Sequence, residues 1–380
     1  MFSFGVALVV SLLVSLFILR IANPRGGFGL DHDLDGVQKI HHQPVPRIGG
    51  LAVFVAAAIS GSLIYLLRDP ITGGRIVMLL VCSLPAFGGG LAEDLTHRVR
   101  PAWRMALMAG SCLLSFFFLQ LVIPRVDIPV LDPLVAWPPV GIALSLLALM
   151  TITNGVNIID GLNGLASVVC VIILVALGYV GFKVGDAVVL SSSLMLAGAI
   201  AGFLVWNYPF GRIFLGDGGA YFLGFTLGAL SILLVARNET VSAWFPLLLL
   251  AYPLVEVAFS MYRRVVLRGR HPAMPDAAHL HQLLYKRIVR WAHGGHGDRR
   301  KLRGNALTAP YLWFLSSLAV GPAALLYDHT PALIALFVLF CLSYVWLYFR
   351  IVRLRAPQWL APFRTRPAPA RDQRDTDQTR

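Results

Sequence analysis

Charge is scarce in this chain: Asp, Glu, Lys and Arg make up only 13% of its 380 residues, whereas hydrophobic residues make up 57%. Mean hydropathy is correspondingly high, at +0.72. A water-soluble fold needs more polar surface than this, so a set of soluble domains is excluded and the bilayer becomes the natural solvent. Cysteine is sparse too. The four present (Cys82, Cys112, Cys170 and Cys341) lie in apolar runs and form no C-x-x-C pair. They read as small core residues, not as disulfides or thiolate metal ligands. No internal repeat is evident, which weighs against an inverted-repeat transporter. Acidic residues are few, 19 against 32 Lys and Arg, giving a net charge of +13. That surplus fits nucleic acid, anionic lipid or a phosphorylated substrate, and its position has to choose.

What is abundant is apolar sequence in lengths of about 20 residues. Eleven candidate spans cover 2–20, 49–67, 76–92, 103–123, 134–153, 164–182, 186–206, 218–236, 240–262, 309–327 and 331–349. The first has no basic n-region and no small-x-small cleavage site, so it reads as a retained helix. The fold expected is all-α, a polytopic membrane helix bundle of about 11 transmembrane helices. Residues 1–355 form the membrane-embedded domain, with a large basic loop at 263–308, and 356–380 form a disordered tail.

Alternate loops, with the adjoining helix ends, differ sharply in charge. One set carries 27 of the 32 basic residues, including Arg20, Lys39, Arg47, Arg98, Arg104, Arg212 and the 263–303 cluster. The other carries Arg68, Arg75, Arg125, Lys183 and Arg237. The positive-inside rule then places the N-terminus outside and the C-terminus in the cytoplasm. The basic surplus is mostly topology and membrane-lipid contact, which leaves no role for nucleic acid.

Polar residues that break the hydrophobic pattern fall on that same basic side. They form clusters at Asp31–Gly50, Glu93–Asp94, Asn154–Asn163, Gly216–Gly219 and His271–His281. Asp94, Asp160 and Asp217 each lie at a helix end, where packing can bring them together. Hard oxygen ligands presented singly by separate segments suit Mg²⁺, which shares its shell with water and phosphate. Glycines beside Asp217 let backbone approach a diphosphate, and the helix that follows presents free N–H groups. Each such Asp is equally readable as a helix cap, Asn154 and Asn157 as helix-stitching amides, and Arg47 as a snorkelling cation. His279 and His281 would diverge on a helix and share a face in an extended segment. Zinc is disfavoured for want of partners at ligand spacing, so a phosphate or sugar hydroxyl is the better ligand for them. Glu256 lies inside an apolar span, where a carboxylate is functional by default.

Taken in order, these clusters resemble the polyprenyl-phosphate N-acetylhexosamine-1-phosphate transferases, glycosyltransferase family 4, from about Asp33 to His281. The segments are His41-x-x-Pro44-x-Pro46-Arg47-x-Gly49-Gly50, Gly90-x-x-Glu93-Asp94, Asn154-x-x-Asn157-x-x-Asp160-Gly161-x-Asn163-Gly164 and Phe214-Leu215-Gly216-Asp217. Pro275-Asp276-x-x-His279-x-His281-Gln282 is similar to the loop of the GlcNAc-1-phosphate transferase branch, not that of the phospho-MurNAc-pentapeptide translocases. Four positions depart from the pattern: Glu93 and Asn163 stand where the family carries Asp, Ala277 where that branch often has Arg, and Gln282 in place of its final His.

The resemblance implies transfer of a HexNAc-1-phosphate from a UDP-sugar to an undecaprenyl-type polyprenyl phosphate, releasing UMP and starting a cell-surface glycan such as O-antigen. It implies catalytic roles for Asp94, Asp160 and Glu93, and Mg²⁺ (or Mn²⁺) on Asp217. Asn157, Asn154, Gly216, His279 and His281 would bind the nucleotide and sugar, and Lys39, His41, Arg47 and Arg104 the lipid phosphate. The expected site is the cytoplasmic face of a bacterial inner membrane, with a homodimer as an open assembly state. The competing class is a transporter or flippase of lipid-linked or phosphorylated solutes that uses the same polar face.

Overall fold

Backbone in lipid must satisfy its own hydrogen bonds, and this chain does so almost wholly by helix. The computed structural model describes residues 1–21, 30–31, 45–267, 269, 278–289 and 298–353. Its helices are α1 (Phe2–Ile21), α2 (Gly49–Leu67), α3 (Pro70–Thr96), α4 (Pro101–Leu119), α5 (Asp132–Val135), α6 (Pro138–Ile159) and α7 (Leu165–Lys183). They continue with α8 (Ala187–Asn207), α9 (Gly216–Arg237), α10 (Phe245–Leu249), α11 (Ala251–Tyr262), α12 (Leu280–Leu284), α13 (Asp298–Leu325) and α14 (Thr330–Val352). Single π-turns, Arg263–Leu267 and Tyr285–Val289, follow α11 and α12. Strands β1 (Leu30–Asp31) and β2 (Val45–Pro46) form one short antiparallel pairing ahead of α2.

Among the described residues nine helices, α1–α4, α6–α9 and α14, are long and apolar enough to cross a membrane. The chain is a multi-pass membrane protein. Two of the eleven expected spans take another form. Residues 240–262 are divided at Leu250 into α10 and α11. The cause is Pro253, which has no N–H for the Leu249 carbonyl and whose ring crowds it. Residues 309–325 of the other lie within α13, which reaches back to Asp298 through the charged run Arg299, Arg300, Lys301 and Arg303, and 326–327 follow its end. That run belonged to the expected loop at 263–308, part of which is therefore helical. The tail from 356 onward lies outside the described residues.

Helix ends follow ordinary capping chemistry. Asp69 accepts the Ile71 and Thr72 N–H groups at 3.0 and 3.2 Å, with Pro70 at the first helical position of α3. Pro85 interrupts the middle of α3, and Ser111 of α4 answers by accepting the neighbouring Ala86 N–H at 2.9 Å.

At the centre stands α9, packed by α2, α3, α6 and α7. Its most apolar window is 94% buried against 22% for α4 and α14, so α9 is the axis and those two lie at the lipid-facing edge. Phe54, Phe87 and Phe222 interlock α2, α3 and α9: Phe54 stacks on Phe87 at 4.3 Å, and Phe222 meets Phe54 edge-on at 5.1 Å. This apolar girdle holds three helices in register beneath the polar end of the bundle.

Candidate active site

The polar end is built where α9 begins. Gly49 and Gly50 donate their N–H groups to the Phe214 and Leu215 carbonyls at 2.9 and 2.8 Å, and Phe214 N–H returns to Pro46 at 2.8 Å. The Arg47 segment and the approach to α9 are thereby fastened backbone to backbone. Asp94, 2% exposed at the end of α3, accepts the Asp217 and Gly218 N–H groups at 2.9 Å each. It satisfies two of the free donors at the start of α9.

Such proximity requires missing side chains. Gly216 has φ +77°, and a Cβ there would stand 2.5 Å from Asp94 Oδ2 and collide with the Arg47 carbonyl. On α3, a Cβ at Gly90 would stand 2.5 Å from the Asp217 carbonyl carbon and the Gly218 nitrogen.

With Asp94 holding its backbone, the Asp217 carboxylate projects toward two guanidiniums. Arg104 Nη1 donates to Oδ2 at 2.8 Å, and Arg47 Nη2 reaches Oδ1 at 3.5 Å. Arg47 Nε also lies 3.9 Å from Asp94. Arg104 Nε is buried without a hydrogen-bond partner. Such a donor suits an incoming anion.

Above this cluster opens a cavity of about 400 Å³, within the range of small-ligand sites. Arg47, Arg104, Asn157, Asp160, Gly216 and Asp217 form one side, and His279, His281 and Gln282 line it from α12. Three amides complete the wall and hold its turns. Asn305 accepts the Asn163 N–H at 2.8 Å, and Asn207 accepts the Gly164 N–H at 2.7 Å while donating to Ile213.

Asp160 caps α6 and faces this cavity. Burial pushes its carboxyl up to about 7; Arg47 opposes that rise and Asp217 reinforces it. His281, 1% exposed, goes the other way. Burial brings its imidazole down to about 4 despite the pull of Glu256, so it is neutral at pH 7. His279 has extended backbone as the residue before α12, and the two imidazoles lie parallel, 5.8 Å apart. The extended residue is what lets both line one cavity, the alternative to a continuous helix.

Three expected site residues do not line the cavity: Asp94, whose oxygens are taken by the start of α9, and Asn154 and Glu93. Asn154 lies one helical turn earlier than Asn157 on α6, where its amide bonds Met150 O at 2.8 Å and sits beside Met105 and Met108 of α4. Glu93 points away from its neighbour Asp94, because adjacent helical positions diverge by about 100°. It closes the turn after α3 by accepting the Val99 N–H at 2.8 Å. Lys39 and His41 lie outside the described residues. Asn207 and Asn305 were missed by the sequence reading: each is a single amide in a helix, with no spacing signal to mark it.

Residues 76–235 match the profile of glycosyl transferase family 4. Over that stretch the chain is similar to the family. Among its relatives is a probable undecaprenyl-phosphate N-acetylglucosaminyl 1-phosphate transferase of Bacillus subtilis, 29% identical over 74% of this chain and 76% of the relative. A decaprenyl-phosphate N-acetylglucosaminephosphotransferase of Mycolicibacterium smegmatis is 29% identical over 76% of this chain and 73% of the relative. A phospho-N-acetylmuramoyl-pentapeptide-transferase of Clostridium botulinum is 31% identical, but over 54% of this chain and 65% of its own length. Likeness to the N-acetylglucosamine-1-phosphate transferases thus runs further along the chain than likeness to the pentapeptide transferase, in agreement with the branch read from the His279–His281 loop.

Proposed function

We propose that the chain transfers a HexNAc-1-phosphate from a UDP-sugar to a polyprenyl phosphate, releasing UMP. The observation that carries this reading is the site at the start of α9. There a buried carboxylate, two arginines and a glycine-rich helix N-terminus meet at the end of a membrane bundle. The family match over residues 76–235 and the activities for which the relatives are named support the substrate classes.

Arg47 and Arg104 bind and neutralise phosphate, and Arg104 Nε offers a donor that the protein itself leaves unpaired. A lipid phosphate oxygen attacks the sugar-bearing phosphorus as the bond to the bridging oxygen breaks, and that oxygen leaves on UMP. Since a phosphate monoester is largely dianionic at pH 7, the attack needs no strong base. Asp94 serves by fixing the α9 terminus, and Asp160 faces the donor.

Among the described residues no three His, Cys, Asp or Glu side chains cluster closely enough to hold a metal themselves. The Asp217 and Asp160 carboxylates on the cavity wall are hard oxygen donors, which fits an ion completing its shell with water and substrate phosphate. Asp217 would hold it, and it would neutralise the diphosphate during transfer.

The charge asymmetry favours a site facing the cytoplasm of a bacterial inner membrane. Membranes containing the protein, supplied with radiolabelled UDP-HexNAc donors, polyprenyl phosphate and Mg²⁺, should yield lipid-linked sugar and UMP. Folded protein that turns over no donor would sink the proposal. Transport of phosphorylated solutes without chemistry would favour the flippase class.

A further inference from the structure

The His279 segment is held by residues that belong to none of the polar clusters at the mouth of the site. Glu256, 1% exposed within α11, receives three donors. Tyr344 of α14 donates its hydroxyl to Oε2 at 2.7 Å, while Leu280 N–H reaches Oε1 at 3.2 Å. The third contact is His279 Nδ1, 3.0 Å from the same Oε1. One turn along α14, Tyr348 donates to the Ala278 carbonyl at 3.1 Å and accepts from Arg263 at 2.7 Å. Two tyrosines at i and i+4 thus share one helix face and hold residues 278–280 against α11.

An ionised carboxylate only accepts hydrogen bonds. Facing Glu256, His279 must therefore carry its proton on Nδ1, and Nε2 is the nitrogen left for a ligand in the cavity that His279 lines. A carboxylate behind an imidazole fixes both its tautomer and its ring orientation.

We propose that Glu256, held by Tyr344, is a positioning residue that sets the His279 tautomer and aims Nε2 at the sugar-nucleotide donor. The inference rests on the transferase reading, since it takes the cavity's ligand to be that donor. It makes α14, which lies at the edge of the bundle and outside every motif, part of the donor site.

Kinetics on the full-length protein in membranes test this. Glu256→Gln removes the charge: the amide keeps its carbonyl toward His279 Nδ1 and the Leu280 N–H, which share Oε1, so the imidazole loses the anionic acceptor that holds its proton and direction. Donor KM should rise at least about tenfold, with kcat within about twofold. His279→Gln should match it, and the double variant should be no worse than either single one, as expected for residues acting as a unit. Tyr344→Phe removes one donor and should raise KM in the same direction by a smaller factor. Unchanged KM in Glu256→Gln, or additive losses in the double variant, would overturn the proposal.

Ring-¹⁵N histidine spectra supply a readout independent of turnover. The resonance lost in His279→Gln should report a protonated Nδ1 in the wild type. A wild-type His279 protonated on Nε2 would overturn the proposal even if Glu256→Gln fails to fold. Should the wild type turn over no donor, the transferase reading falls, while these spectra still decide whether Glu256 sets the tautomer.

Discussion

At the scale of the residue, the two buried aspartates at the start of α9 do different work. Asp94 spends both oxygens on backbone N–H groups, whereas Asp217 faces two half-exposed guanidiniums. Asp94→Asn turns an amide N–H against a buried N–H donor. It should lower stability by about 1–3 kcal/mol, seen as an earlier thermal transition in detergent. Asp217→Asn should leave that transition nearly in place and reduce turnover at least about 100-fold. Equal effects in both assays would undo the division of roles.

Asp160 makes a pH prediction. With its carboxyl near 7, it is protonated below that value and ionised above it. If the ionised form faces the donor, turnover should climb from pH 6 to 8, and Asp160→Asn should remove that limb. The stability term has the opposite slope. Because the folded value exceeds the unfolded one of about 3.9, stability is full below that value and falls as pH rises toward 7. A wild-type unfolding midpoint that does not decline over this interval would contradict the assignment.

At the scale of the element, the approach of α3 to α9 decides whether the site exists. Gly88, Gly89 and Gly90 form one run in the sequence, yet their surroundings differ. A Cβ at Gly88 meets nothing within 4 Å, whereas one at Gly90 meets the backbone of Asp217 and Gly218 at 2.5 Å. Gly88→Ala should be neutral or slightly stabilising, since alanine is the better helix former by about 1 kcal/mol. Gly90→Ala must push α3 from α9, break the Asp94 contacts and lose most turnover. Comparing the two variants in one membrane preparation checks this, and equal activities would refute it. Ser111→Ala is a second probe of α3. It strands the Ala86 N–H beside Pro85 and should cost about 1–3 kcal/mol in an unfolding titration, with donor KM unaltered.

For the molecule as a whole, the claim at stake is orientation. The polar ends of α2, α3, α4, α6, α7, α8 and α9 meet at one end of the bundle, and the basic loops belong to that end. The four native cysteines are buried or half-buried in helices. In a cysteine-free background, a cysteine at His97 should therefore resist a membrane-impermeant thiol reagent in whole cells, and one at Glu239 should react. The reverse pattern would turn the site to the outside.

Much of this architecture was legible in the sequence because lipid imposes it locally. Each apolar run must become a helix, and the alternation of charged loops orders the helix ends without any knowledge of packing. Among the described residues nine runs are observed as helices able to span, and an apolar run divided at Leu250 is explained by the proline at 253. The sequence also located the polar residues that gather around the cavity, since polar side chains in an apolar chain stand out. Side-chain direction lay beyond it. Whether Glu93 or Asp94 turns inward, whether Asn154 reaches the cavity and which partner Glu256 finds depend on helix rotation and on contacts up to 124 positions apart. Composition and periodicity determined the membrane, the helices and the working end of this protein. Which groups face one another there was settled by the packing of α9 among its neighbours, because only packing fixes the rotation of each helix.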